Sequence, residues 1–187
     1  MFHAMVFAIY RCGFRSRCAL EVRDSSEQRV RKIEKIISEC PIGIHDISRT
    51  EPDKANNLPR FNMPFELGLF LGARAFGTGE QKKKTCLVLD SEPYRYQKFL
   101  SDIAGQDISS HEGRIDRLID AVRNFLNAQF PERPLPASSV LHSDYLKFQG
   151  RLPELCAEAE LNEDELEYID YAWLAADYVS EDRPTAE

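Results

Sequence analysis

Apolar residues occur along the chain in short continuous runs separated by longer amphipathic stretches. Residues 3–10, 42–48 and 85–90 are the clearest runs, and their length and composition predict buried strands. A turn over residues 101–108 is expected to lead into a short fourth strand. Between the first two runs, apolar residues recur three or four positions apart over residues 30–37, which predicts an amphipathic helix. Strand, helix and strand in this order indicate an α/β fold with a parallel sheet.

The second half of the chain is predicted to be helical. Three prolines lie between Phe130 and Ala137 and indicate a boundary. We therefore divide the chain into an α/β domain (1–130), a proline-rich linker (131–137), a C-terminal helical extension (138–180) and a disordered tail (181–187). The last predicted helix has a broad apolar and aromatic face that includes Trp173. We expect it to bind the main domain, a second copy of the chain or a partner protein.

Composition places the chain among ordinary globular proteins and narrows its partners. The 187 residues are 43% hydrophobic with a net charge of −7, which disfavours direct binding to nucleic acids or acidic membranes. No apolar run reaches the roughly 18 residues that a membrane span needs, and the N-terminus lacks the pattern of a signal peptide. The five cysteines are scattered without a metal or disulfide spacing. We expect a cytoplasmic protein without a metal site.

The stretch that begins at Asn62 places a single carboxylate within an otherwise apolar helix. Asn62 is expected to cap this helix, and Pro64 suits its first turn. Because an isolated buried charge is costly, Glu66 must be paired, protonated or open to a cleft. One interpretation is a tuned nucleophile or general base. The other is that Glu66 interacts with its own helix dipole or pairs with an arginine such as Arg60 or Arg74.

Polar residues follow the predicted strands at positions that would share one edge of a parallel sheet. Asp46 and Ser48 close the second run, and Asp90 closes the third. Open α/β sheets bind ligands at the carboxyl ends of their strands, so we expect these residues near a substrate. Neighbouring loops carry cationic and aromatic residues, namely Arg15, Arg17, Tyr94 and Arg95. These side chains could bind the phosphate and the base of a nucleotide. They fit a solvated surface or an amphipathic helix equally well.

The chain resembles the nucleoside 2-deoxyribosyltransferase-like superfamily and its bacterial Toll/interleukin-1-receptor-like (TIR-like) relatives in two motifs. These are Asp46-Ile47-Ser48 and, after a polar loop, Asn62-Met63-Pro64-Phe65-Glu66-Leu67-Gly68. The resemblance extends over roughly residues 3–127. It implies a flavodoxin-like three-layer α/β sandwich with a parallel sheet of four to five strands, to which the C-terminal helical extension is added.

The same resemblance implies an N-glycosidase-type enzyme that cleaves the bond between base and ribose in a nucleotide. NAD is the first candidate substrate and a nucleoside monophosphate the second; no cofactor is expected. Arg60 and Phe61 stand where the transferases carry a further acidic residue, so hydrolysis and non-catalytic nucleotide binding both stay open. The implied catalytic residues are Glu66 and Asp46, and the substrate-binding residues are Arg15, Arg17, Ser48, Asn62, Asp90, Tyr94 and Arg95.

Three hypotheses concern the role of the chain in the cell. The bacterial relatives often act in antiviral defence or as toxins, which implies an effector that is activated by assembly. The alternative is a nucleotide-binding signalling module that does not cleave its ligand and acts through its C-terminal helices. A third, weaker hypothesis is a scaffold whose function lies in those helices alone.

Overall fold

The computed structural model describes residues 1–181, and the chain forms two compact units. Of the described residues, the helical unit contains 1–16 and 114–181, whereas the α/β unit contains 17–113. The helices of the described chain are α1 (Phe2–Arg11), α2 (Arg29–Glu39), α3 (Asn62–Phe76), α4 (Ile115–Gln129), α5 (Ser138–Glu158) and α6 (Tyr168–Glu181). Its strands are β1 (Ile42–Asp46), β2 (Thr85–Asp90) and β3 (Ile108–Ser110). Short 3₁₀ helices lie at Ala19–Glu21, Gly79–Lys83, Arg95–Lys98, Ser101–Ile103 and Glu163–Glu165.

The α/β unit is built on a parallel sheet with the strand order β1-β2-β3. Ile44 of β1 is opposite Leu87 of β2, and Val88 is opposite Ile108 of β3. The parallel α/β sheet is therefore confirmed. Within residues 1–181 the sheet has three strands, not the predicted four to five.

Residues 3–10, predicted as the first strand, form most of α1. This helix buries Ala4, Phe7 and Ala8, which are three and four positions apart and therefore share one helix face. A continuous apolar run has no period of its own, so its pattern does not distinguish a buried strand from a buried helix. The first predicted strand is wrong for this reason, and with it the assignment of residues 1–16 to the α/β domain.

Helix α3 packs against both β1 and α2. Phe70 of α3 forms an apolar cluster with Ile33 and Ile37 of α2, and all three side chains are buried. Gly43 allows the close approach of β1 and α3, since a Cβ atom added there would lie 2.9 Å from the Phe70 ring. Burial of each such side chain stabilises the unit by about 1.5–3 kcal/mol. These contacts fix the position of α3 against the sheet.

The helical unit has an aromatic core. The ring of Phe7 in α1 stacks on Phe148 of α5 with centroids 5.0 Å apart. Tyr171 of α6 is fully buried, and its hydroxyl donates to the main-chain oxygen of His3 at 3.1 Å. The last predicted helix therefore uses part of its aromatic face inside this unit.

The proline-rich segment is anchored inside the helical unit. Arg123 of α4 donates from Nε to the carbonyl oxygen of Pro136 and from Nη2 to that of Leu135, each at 3.0 Å. The two units divide near residues 16 and 113 rather than at residues 131–137. Of the predicted disordered tail, Glu181 ends α6, and residues 182–187 lie outside the described residues. No helix within residues 1–181 is long and apolar enough to cross a membrane.

Candidate functional site

The carboxyl edge of the sheet brings together polar residues from all three strands. Asp46 ends β1, Asp90 ends β2 and Ser110 ends β3, with His111 directly after it. The main-chain nitrogen of His111 donates to the main-chain oxygen of Asp90 at 3.0 Å, which extends the sheet by one residue. This is the edge at which an open α/β sheet binds ligands.

Asp90 and Arg95 form an ion pair at the centre of this edge. Asp90 is completely buried, and its Oδ1 accepts from Arg95 Nε at 2.8 Å and from Nη2 at 2.6 Å. Arg95 also donates to Thr50 Oγ1 at 2.8 Å and to the main-chain oxygen of Ser48 at 2.7 Å. The guanidinium therefore ties the loop after β1 to the end of β2. In the structure the Asp90–Arg95 pair and the main-chain oxygen of Ser48 hold the fold together at this edge. The role of Asp90, Arg95 and Ser48 in binding substrate stays a prediction.

A second pair at the edge was missed by the sequence analysis. His111 is almost fully buried, and its Nδ1 accepts the main-chain N–H of Gly113 at 3.1 Å. The proton of the neutral ring therefore lies on Nε2, which is 3.5 Å from Asp46 Oδ1 without the alignment of a hydrogen bond. The signal available in the sequence was a histidine directly after the short fourth strand.

Glu66 lies one turn into α3, near the same end of the sheet, and has no hydrogen-bond or ion-pair partner among the described residues. The side chain is half-buried, and this burial raises the pKa of its carboxyl group. The positive charge of Arg29, the first residue of α2, lowers the same pKa by a smaller amount. Neither Arg60 nor Arg74 pairs with Glu66: Arg60 lies 3.8 Å from Asp53 instead. An unpaired, desolvated carboxylate at this position is chemically available.

The two predicted catalytic carboxylates lie on different faces of β1. The ring of His45 packs against Phe70 of α3 with centroids 5.2 Å apart, and Ile47 packs with Leu67 of α3. Because side chains alternate along a strand, Asp46 points away from α3. Its Oδ1 accepts the main-chain N–H of Ser48 at 3.0 Å. The structure therefore does not bring Asp46 to the Glu66 carboxylate.

His45 belongs to the core of the α/β unit. It is 7% exposed, and burial lowers the pKa of its ring to about 4. The ring is therefore neutral at physiological pH. A catalytic proton donor near neutrality needs a pKa closer to 7, so His45 is a packing residue.

Two of the predicted phosphate-binding arginines lie elsewhere. Arg17 donates to Glu21 at 2.6 Å and to Glu39 at 3.1 Å, and Glu39 ends α2 just before the amino end of β1. This pairing holds Arg17 at the opposite end of the sheet from Asp46. Arg15 belongs to the helical unit, where it lines a cavity of about 270 Å³ together with Tyr10, Phe14 and Val179.

The two remaining predicted residues lie around the start of α3 and after β2. Asn62 is the first residue of α3 and does not cap it; the N-cap is Phe61, without a side-chain hydrogen bond. The reason is that the backbone turns into the helix one residue earlier than predicted. Tyr94 is 73% exposed and has a positive φ of 60°. Its ring is therefore open to solvent close to Arg95.

Residues 1–181 contain no group of three or more histidine, cysteine, aspartate or glutamate side chains that could hold a metal ion. No protein-family model, no curated protein and no solved structure matches the chain. The function therefore has to be inferred from the residues themselves.

Proposed function

We propose that the α/β unit is an N-glycosidase-type enzyme that uses Glu66 to cleave the bond between base and ribose in a nucleotide. The observation that carries this proposal is the unpaired, half-buried Glu66 carboxylate at the start of α3, whose pKa burial raises. The other buried charged side chains of the described chain have hydrogen-bond or ion-pair partners. A carboxylate without such a partner lowers the free energy of unfolding and contributes no structural contact. The motif around Glu66, and its resemblance to the deoxyribosyltransferase-like and TIR-like proteins with their flavodoxin-like fold, supports the same assignment.

The reaction requires little besides a fixed carboxylate. As the C1′–N bond breaks, its electron pair leaves with the base, and positive charge develops on the ribose ring. The Glu66 carboxylate stabilises this charge or adds to C1′, and a water molecule then supplies the oxygen that ends on C1′. The base of a nucleoside monophosphate takes up a proton from this water as it departs. The nicotinamide of NAD leaves as a neutral molecule, because the electron pair cancels the positive charge of its ring, and the proton of the water is released to solvent. No step needs a metal or an oxidant.

The surroundings of Glu66 suit an anionic nucleotide. Helices α2 and α3 both begin without a side-chain cap at their N-terminal residues Gln28 and Phe61. Free N–H groups and the positive ends of the helix dipoles favour phosphate there, and Arg29 adds an exposed cation. The open ring of Tyr94 is available to stack on a base. NAD remains the first candidate and a nucleoside monophosphate the second.

The test is the release of free base from NAD and from a panel of nucleosides and nucleotides, followed by chromatography. Wild type is compared with Glu66→Gln, which keeps the shape of the side chain and removes its charge. Glu80→Gln is the matched control because Glu80 lies on the surface and, among residues 1–181, forms an ion pair with Lys83 alone. The proposal expects base release by wild type and by Glu80→Gln, and none by Glu66→Gln.

One observation favours a second candidate function, a module that binds a nucleotide without cleaving it. Asp46 and Glu66 lie on different faces of β1, so Asp46 is not placed to assist Glu66. Isothermal titration with NAD distinguishes the two candidates. Binding by wild type together with no base release over several hours supports the binding module.

A further inference from the structure

The outward face of α3 carries large apolar side chains that the described chain does not cover. Phe61, Phe65 and Phe76 are 50%, 55% and 89% exposed. They lie at the N-cap, in the first turn and at the last residue of α3, so they extend along the whole helix. The opposite face of α3 packs on β1 and α2 through Leu67 and Phe70. α3 is therefore apolar on both sides, although only one side is used within this chain.

Small residues fill the space between these aromatic rings. Gly68 and Gly72 lie between Phe65 and Phe76, and a Cβ atom added at either glycine would meet no atom within 4 Å. Neither glycine is therefore required for packing within the chain. Each costs about 1 kcal/mol of helix stability relative to alanine. Because the two glycines have no side chains, they leave a shallow groove on the helix surface, against which another helix can pack closely.

The spacing of the face is that of a helix–helix seam. Phe61, Phe65, Gly68, Gly72 and Ala75 follow one another at intervals of four, three, four and three residues. This is the repeat that keeps apolar residues in register with a neighbouring helix. We call these five residues and Phe76 the α3 seam.

The exposed aromatic area of the α3 seam lies in the range of the largest apolar patch on a typical monomer, about 300–600 Å², and such a patch is often functional. With about 200 Å² for each phenylalanine, the exposed fractions of Phe61, Phe65 and Phe76 give roughly 400 Å² of aromatic surface. The side chains alone thus supply about half of the 800 Å² that one partner contributes to a standard interface. An exposed apolar patch of this size is typical of an interaction site.

We propose that the α3 seam binds the α3 seam of a second copy of this chain, in an antiparallel and two-fold symmetric pair. A two-fold axis that crosses the contact at the level of residue 70 places Gly68 opposite Gly72 of the partner. It also places Phe65 opposite Ala75 and Phe76 opposite Pro64. Phe65 then meets the small Ala75, and the facing glycines let the two helix backbones approach closely at the centre of the contact. The seam is complementary to itself without any change of sequence, as a two-fold interface requires. Antiparallel helix dipoles also favour this orientation.

Sedimentation velocity of the full chain from about 1 μM to about 200 μM tests the pairing. Wild type is expected to shift from the mass of one chain to twice that mass as the concentration rises. Gly68→Ala/Gly72→Ala is expected to weaken association at least about tenfold while its melting temperature, measured on the monomer, stays at or above that of wild type. If the glycines were needed for packing within the chain, Gly68→Ala/Gly72→Ala would instead have a lower melting temperature than wild type.

Two control variants distinguish association through the α3 seam from association through exposed aromatic residues elsewhere on the chain. Phe65→Ser/Phe76→Ser is expected to be monomeric at every concentration, whereas Trp173→Ser is expected to associate like wild type, because Trp173 is a 56% exposed aromatic residue of the helical unit. The proposal is overturned if wild type keeps the mass of one chain throughout. It is also overturned if Trp173→Ser abolishes association or the seam variants leave it unchanged, which would place the contact elsewhere.

Discussion

The carboxyl edge of the sheet and helix α3 belong to the same unit, yet they differ in whether their charged and apolar side chains have partners within it. At the edge, the fully buried Asp90 is met by Arg95 at 2.6 Å and 2.8 Å. In α3, Glu66 has no partner among the described residues, and Phe65 and Phe76 are open to solvent. An unpaired carboxylate and an exposed aromatic face weaken a fold that stands alone. We infer that the edge serves the architecture and that α3 serves the function.

The largest effect on stability is expected from breaking the edge. Arg95→Met removes the cation from Asp90 and leaves a completely buried carboxylate uncompensated. We expect a loss of about 3–5 kcal/mol in the free energy of unfolding, measured by urea denaturation. The double variant Asp90→Leu/Arg95→Met is the control, because it removes both charges and should recover a large part of this loss. A loss below about 1 kcal/mol for Arg95→Met would show that the pair does not hold the edge.

A slightly smaller effect is expected from acid. Burial lowers the pKa of His45 to about 4, whereas the unfolded chain has the ordinary value of 6.5. The unfolded state therefore takes up a proton first, and stability that is complete above pH 6.5 falls as the pH decreases towards 4. The shift corresponds to a loss of about 3 kcal/mol. The measurement is urea denaturation at a series of pH values.

His45→Leu isolates this contribution, because burial also lowers the pKa of His3 and acts in the same direction. The variant should show a shallower decrease in stability between pH 6.5 and pH 4 than wild type. Equal slopes for the two proteins would mean that His45 is accessible to protons in the folded state.

Replacing a glycine by alanine should change stability in opposite directions in the sheet and in α3. Gly43→Ala places a Cβ atom 2.7 Å from His45 Nε2 and 2.9 Å from Phe70, so we expect a loss of about 1–3 kcal/mol. Gly68→Ala meets no atom within 4 Å and should stabilise the monomer by up to about 1 kcal/mol. Both are measured by thermal unfolding at low concentration, where association does not contribute. A loss of stability in both variants would show that α3 is packed on its outward side.

Regular elements of the α/β unit were predictable because their patterns are local. The runs at residues 42–48 and 85–90 contain β1 and β2, and the helix around Glu66 is α3. The residues of α1 were assigned to a strand because the spacing of Ala4, Phe7 and Ala8 is hidden in a run that is apolar throughout.

The candidate site was predictable only in part because its geometry depends on contacts between distant residues. The approach of His111 to Asp46 joins two strands that are not neighbours in the sheet, and no local pattern encodes it. Arg95 has the side chain of a phosphate-binding residue, yet each of its three guanidinium nitrogens donates within the fold, to groups that include Asp90 and Thr50. The prediction of Glu66 as the reactive carboxylate remains a prediction.

The smallest expected effect concerns the stability of the Glu66→Gln variant. Burial raises the pKa of Glu66 in the folded state, so its carboxylate is slightly destabilising at neutral pH. The sign follows from linkage: the contribution of Glu66 to stability is most favourable below its unfolded pKa and is lost as the pH rises through the folded pKa. Glu66→Gln should therefore be at least as stable as wild type at pH 7 by urea denaturation. A clear loss of stability would indicate that Glu66 has a structural partner.

We propose Glu66 as the reactive group of the chain, and the rate of base release is the measurement that tests this role. On the best substrate of the nucleotide panel, at protein concentrations that span self-association, Glu66→Gln is expected to lower the rate at least about 10³-fold. Glu80→Gln should retain the wild-type rate. Equal rates for wild type and Glu66→Gln, with both proteins folded, would contradict the claim.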